Sequence, residues 1–329
     1  MRYGAGLKEL AKLEGIPADD AACLANSKFE YIVTCQMYGV MKTSKDPSMK
    51  MKASQIDALR AQYPESLRIA YVELPVDDEQ PEVRSSRDAV GCSPNSFFSV
   101  LMGWRKAAIP GEYHDCMLYK VRLPGNPILG EGKPENQNHA IIFTRGEHLQ
   151  TLDMNQDNYM GESYKMRNLL ECFRDRVRIV GFREHIFSES GGAVAKFAAS
   201  NEFVFGTMVQ RFLTWPLMVR FHYGHPDVWD KVWVMGNGGV SKASRTLHVS
   251  EDIFGGVNVV LRGGHIEYLE YIHCGKARDI TFTATNAFEQ KVSGGNAFQG
   301  MSRDLARLGK QFDLFRLLSM FATGTGLFI

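Results

Sequence analysis

The chain has 329 residues, enough for one large domain or two ordinary ones, and at 44% hydrophobic content it can bury a sizeable core. Its formal charge of +1 excludes the basic excess that a nucleic-acid surface needs, while leaving room for a small phosphate-bearing ligand, which needs only a few local cations. None of the six cysteines stands in a C-x-x-C pair and no Asn-x-Ser/Thr sequon occurs, so a zinc ribbon or thioredoxin-like site is disfavoured and a reducing, cytosolic setting is expected.

The opening "RYGAGLKELAKLEG" is too polar for a signal peptide. "KFEYIVTC" (28–35) predicts a strand, "KASQIDALRAQY" (52–63) a helix and "LRIAYVEL" (67–74) a half-buried or central strand. A polar, proline-bearing loop (75–88) follows, then strands at "SFFSVLMGW" and "CMLYKVRL". "HAIIFT" and "HLQTLD" predict two short strands joined by a hairpin at Arg145-Gly146-Glu147, with Asp157 capping a helix over 158–173. "VRIVGF" predicts another strand, 201–217 a mostly helical segment, 251–262 a helix capped by Ser250, "HIEYLEYIHC" (265–274) a strand, and a last helix starts near Ser302. Interleaved strands and helices argue for an α/β fold, whose ligands sit where loops leave strand ends. No linker divides the chain. The apolar tail "LLSMFATGTGLFI" is shorter than the ~20 residues of a membrane span and reads either as a buried helix or as part of a span.

Five constellations carry candidate chemistry. Gly130-Glu131-Gly132-Lys133, followed by Asn136, Gln137 and Asn138, can bring backbone N–H groups and a lysine to a phosphate, although the same segment reads as a plain turn. Asp153 and Asp157 offer oxygen ligands for a Mg²⁺ that clamps a diphosphate, or else an Asx-turn and a helix cap. His222, His225 and Asp227 in "FHYGHPD" resemble a metal triad by type, but the spacing favours a structural or substrate-positioning role. In "NGGVSKASRTLHVSEDI", Lys242 and Arg245 precede Glu251 and Asp252 at a helix start, cations and acids of the kind a group-transfer site needs. Finally, Lys276, Arg278 and Asp279 in "HCGKARD" offer a phosphate contact or surface ion pairs.

The wording "GEGKPENQNHAIIFTRGEHLQTLDMNQDNY", "GFREHIFS", "RFHYGHPDVWD", "GGVSKAS", "SEDIFGGVN", "CGKARD" and "SRDLARLGKQFDLFRLLS", in this order, closely resembles the catalytic region of the 1,3-β-glucan synthases. It is nearer the callose synthase branch than the fungal one, and the resemblance spans Lys28 to the C-terminus. It implies a GT-A-like glycosyltransferase domain, a central mixed sheet flanked by helices, that transfers glucose from UDP-glucose to a growing 1,3-β-glucan with inversion.

The implied organisation is a helical lead-in over 1–27, a cytosolic glycosyltransferase domain over 28–310, and a terminal helix over 311–329 leading into a membrane segment. The whole would sit at the cytoplasmic face of the plasma membrane as part of a multi-pass synthase. Implied partners are UDP-glucose, the glucan chain, the membrane-spanning regions and a Rho-type GTPase; no nucleic acid is expected.

The resemblance further implies roles for single residues. Asp252, with Glu251 beside it, is the base for the acceptor hydroxyl, and Lys242 neutralises the leaving UDP. Lys133, Asn136, Asn138, Asp153, His225, Asp227 and Arg278 contact substrate. Two departures stand out: no D-x-D and no Q-x-x-R-W occurs, unlike cellulose and chitin synthases, which leaves metal dependence open. A UDP-glucose-binding fragment without polymerising activity, and a soluble glycosyltransferase with another acceptor, are the competing readings.

Overall fold

The computed structural model describes residues 2–74, 97–108, 112–125, 127, 132–222, 224, 226–242, 251–278 and 280–328. The fold is α/β, and in place of one central sheet it holds two mixed sheets. The chain divides into two compact units, Asn26–Arg145 and Met1–Ala25 with Gly146–Ile329. Helices α1 (Arg2–Leu13) and α2 (Ala18–Lys28) open the chain, and the unit boundary falls within α2.

In the Asn26–Arg145 unit, β1 (Tyr31–Thr34) is followed by α3 (Tyr38–Thr43) and α4 (Pro47–Gln62). The start of α4 is set by Asp46, whose side chain accepts from Ser48 N at 2.9 Å, and by Pro47, whose missing N–H costs nothing there. Strand β2 (Leu67–Glu73) pairs parallel with β1 and antiparallel with β3 (Phe98–Lys106), which pairs antiparallel with β4 (Tyr113–Arg122). Ile69, Ala70, Val72 and Val100 are fully buried; Tyr38 and Ala53 pack on Ile69, and Ala140 and Phe143 on Ala70 and Leu101.

The predicted strand "HAIIFT" is instead the end of α5 (Lys133–Ile141). A short apolar run fits a strand or a buried helix equally, and here Pro134 in the first turn marks a helix start.

The second unit carries β5 (His148–Gln150), β6 (Gln156–Asp157), α6 (Met160–Tyr164), α7 (Met166–Leu170), β7 (Val177–Ile186), α8 (Ala193–Val204), α9 (Gln210–Thr214) and β8 (Val228–Asp230). Then follow α10 (Lys231–Gly236), α11 (Glu251–Leu261), β9 (His265–Lys276), α12 (Phe282–Gly300), α13 (Arg303–Leu308) and α14 (Leu314–Thr323). Its sheet runs β5-β8-β7-β9-β6, with β7 and β9 parallel and the other pairs antiparallel.

The helix predicted over 158–173 is two short helices meeting at Lys165. Asp157 does not cap it: Asp157 lies in β6, and Tyr159 precedes α6. Ser302 does cap α13, accepting from Leu305 N at 3.1 Å. Helix α12 was not foreseen. Helix α14 has no fully buried residue, though Met320 packs against the Phe221, Val257 and Leu308 cluster, and among the described residues no helix is long and apolar enough to cross a membrane.

Candidate functional site

Ahead of β8, Arg220, His222 and Asp227 stand at 4%, 1% and 1% exposure. Burying ionisable groups is costly unless they satisfy one another. Here they do. Arg220 donates to Asp227 through two nitrogens, Nη1 to Oδ2 at 3.1 Å and Nη2 to Oδ1 at 2.8 Å. His222 Nδ1 lies 2.8 Å from Asp227 Oδ2, and its Nε2 lies 3.4 Å from Oδ1 of Asp252 in the first turn of α11. The indole of Trp229 meets the imidazole edge-on, ring centres 4.8 Å apart. Asp252, with a side chain 20% exposed, is the end of this chain that reaches solvent.

Glycines make the approach possible. A Cβ on Gly181 of β7 would fall 2.1 Å from Asp227 Oδ1 and 2.3 Å from Arg220 Nη2. A Cβ on Gly256 would fall 2.0 Å from His222 N, so the "GG" of "EDIFGGVN" lets α11 lie flush on the loop and carries Asp252 to the imidazole. The core behind it is Phe221, Val257 and Leu308.

Burial opposes a charge on His222, but its interactions with the Asp227 and Asp252 carboxylates, which accept from the ring, outweigh it and raise the imidazole to about 9. Burial likewise opposes the charge of Asp227, and Arg220 and His222 overcome it, holding the carboxyl below its ordinary range. At neutral pH the array is therefore guanidinium, carboxylate and imidazolium in series, facing Asp252.

A second cluster joins the ends of β7 and β9. Lys276 Nζ lies 2.8 Å from Glu184 Oε1 and 3.2 Å from Asp153 Oδ2; Arg278 Nη2 lies 3.6 Å from Glu184 Oε2 and 2.7 Å from Glu202 Oε2. Burial pushes Glu184 up to about 7, against the pull of Lys276 and Arg278.

The structure thus brings Asp227 to Asp252 and Asp153 to Arg278. Lys242 pairs with Asp304 and lies over the Phe254 ring, 5.2 Å from its centre. Asp157 stands apart, 59% exposed and bound by Arg2 Nε at 2.7 Å. Asp153 pairs with Lys276 and Asp157 with Arg2, and among the described residues no group of three or more His, Cys, Asp or Glu is placed to hold a metal.

In the other unit, Asn136 serves the backbone rather than an open ligand position: its Oδ1 accepts from Gln36 N and its Nδ2 donates to Thr34 O, both at 2.9 Å. Lys133 opens α5, and Asn138 is half-buried in it. Gly130, Glu131, His225, Arg245, Ser250, Asp279 and the Glu251 side chain lie outside the described residues.

Sequence reasoning missed Arg220 and Glu184. Arg220 stands two residues before His222 on an extended segment, a spacing that puts both on one face and was available as a signal. Nothing near Glu184 in the sequence marks it.

Residues 8–329 match the family described as 1,3-beta-glucan synthase component. The chain belongs to this family. Among its relatives are Putative callose synthase 6 of Arabidopsis thaliana, 48% identical over 94% of this chain, and Callose synthase 3, 48% identical over 93%. Callose synthase 10 is 44% identical over the whole chain. The chain spans 16–17% of the length of these curated relatives. The crystal structure of mannosyl-3-phosphoglycerate synthase from Rubrobacter xylanophilus has a TM-score of 0.31 at 18% identity, covering 56% of this chain and 54% of that one, too slight a likeness to argue from.

Proposed function

We propose that this chain is the GT-A-like catalytic part of a membrane-embedded synthase at the cytoplasmic face of the plasma membrane, transferring glucose from UDP-glucose to a 1,3-β-glucan with inversion. The observation that carries the reading is Asp252: in a chain of the 1,3-beta-glucan synthase family, a partly exposed carboxylate is held at a helix start by a buried imidazole. In this reading the acceptor 3-hydroxyl attacks the anomeric carbon opposite the diphosphate. Its proton passes to the Asp252 carboxylate, the bond from the anomeric carbon to the diphosphate oxygen breaks, and UDP leaves with the electron pair. Lys242 meets the charge that builds on the diphosphate. No step is routed through Mg²⁺. Asp227 acts within the buried chain, while Asp153 and Arg278, with Lys276, form the polar wall that faces donor phosphate and sugar. A Rho-type GTPase and the membrane-spanning regions belong, in this reading, to the rest of a longer synthase.

The short span of the chain against its relatives favours one second reading, UDP-glucose binding without polymerisation. Radiolabelled UDP-glucose incorporation, with 1,3-β-glucanase digestion of the product and calorimetric titration of the donor, separates the two. The leading reading expects glucanase-sensitive product that Asp252→Asn reduces about 10²–10⁴-fold while donor binding persists. Binding without incorporation by the unaltered chain favours the second reading, and incorporation unaffected by Asp252→Asn removes Asp252 as the base.

A further inference from the structure

We propose that Arg220, Asp227 and His222 form a positioning relay for Asp252, in which the clamped imidazole presents Nε2 to the carboxylate and fixes where it points. The effect on catalysis rests on the reading of Asp252 as the base; the relay itself is a statement about four side chains and stands apart from it.

His222 is 1% exposed and cannot meet a substrate, so any influence it has runs through a neighbour. Its ring is oriented by the hydrogen bond between Nδ1 and Asp227 at 2.8 Å, which leaves Nε2 facing Asp252 in an ion-pair contact at 3.4 Å. Asp227 is fixed in turn by the paired contact from Arg220.

Stability alone gives a poor account of this array. A buried ion cluster is often no more stabilising than well-packed apolar side chains of the same volume. The surrounding glycines add to the cost: Gly255 and Gly256 each weaken α11 by about 1 kcal/mol relative to alanine. What they provide is approach, because a Cβ at Gly256 would strike His222 N at 2.0 Å and one at Gly255 would strike Val240 O at 2.4 Å. The helix is brought onto the loop, and the side chain delivered by that contact is Asp252.

Among the described residues, the charged groups facing the imidazole include Asp227, Arg220 behind that carboxylate and Asp252 from α11; β8 contributes the Trp229 ring. During transfer the proton of the acceptor moves to Asp252, and His222 neither gains nor loses one. Its part is to hold the carboxylate by a charge-assisted contact and keep it aimed until that proton arrives.

The chain labelled with ¹⁵N-histidine tests this directly, with the His222 ring signals assigned by their loss in His222→Gln. Both ring nitrogens are expected to be protonated at pH 8, and Asp252→Asn is expected to lower the titration of His222 by at least about one pH unit, a tenfold change in proton affinity. A neutral ring at pH 8, or a titration that Asp252→Asn leaves in place, overturns the relay. If His222→Gln does not fold, comparing the histidine spectra of Asp252→Asn and the unaltered chain still decides.

In the incorporation assay, His222→Gln should lower kcat about tenfold or more with the KM for UDP-glucose unchanged. A kcat per folded molecule equal to that of the unaltered chain reduces His222 to a packing residue and overturns the proposal. Absence of incorporation by the unaltered chain would defeat the polymerase reading, and the nitrogen titration would then judge the relay alone.

Discussion

Lys242 shows how magnitude separates roles at a single position. It is partly exposed and paired with Asp304, and such surface pairs are worth about 0–1 kcal/mol. A cation that meets charge on a departing diphosphate contributes about 10²–10³ in rate. Lys242→Ala should therefore change thermal stability by less than about 1 kcal/mol while reducing glucan incorporation by that larger factor. Near-normal incorporation would show that Lys242 only tethers Asp304. Asn136 teaches the opposite lesson. Its residue type suggests a ligand for sugar hydroxyls, yet both ends of its amide are bonded to the backbone around β1, and residue type cannot tell which partner an amide will meet.

At the scale of elements, α11 is the piece whose placement makes the site. Gly256→Ala inserts a Cβ 2.0 Å from His222 N and 2.8 Å from Phe221 Cα, both main-chain atoms that cannot swing aside. Overpacking of this kind costs about 1–3 kcal/mol or more, so a clear drop in the thermal midpoint is expected. Gly236→Ala in α10 is the control: nothing lies within 4 Å of its Cβ, and the change should be neutral or slightly stabilising. Equal midpoints for the two variants would mean that α11 does not sit flush on the loop. The strands β2, β3 and β7 were legible from their short, largely apolar runs, and β9 from its alternation. The "HAIIFT" segment was not, being short enough for either periodicity. The helix boundaries in 158–173 were lost because two one-turn helices carry too little pattern to separate from one longer helix.

Across the whole molecule, His139 in one unit and His222 in the other should respond to pH in opposite directions. In the Asn26–Arg145 unit, burial lowers His139 to about 4, with its Nε2 2.5 Å from Ser99 Oγ. A depressed folded pKa means that stability is complete above the unfolded value near 6.5 and is lost as pH falls towards 4. In the other unit His222 is raised to about 9, so its contribution is complete below 6.5 and is lost as pH rises through 9. Each shift corresponds to a few kcal/mol, on the order of 3. Hydrogen exchange, corrected for intrinsic rates, should show β3 and α5 losing protection between pH 6.5 and 4, and β8 and α11 losing it between 6.5 and 9. Parallel behaviour of both sets would contradict the assigned charge states.

The α/β class and membership of the glucan synthase family were readable from local pattern and from long runs of motif, because periodicity and wording are properties of contiguous chain. Asp227 and Asp252 could be singled out by type and position in the same way. Folding alone settled which acid meets which cation: Asp153 finds Lys276 across 123 residues of sequence, Asp157 finds Arg2 across 155, and His222 joins two aspartates from different elements. Coulomb attraction and hydrogen bonding act through space over a few ångströms, so partners are chosen by the packing of β7, β9 and α11 and not by spacing along the chain.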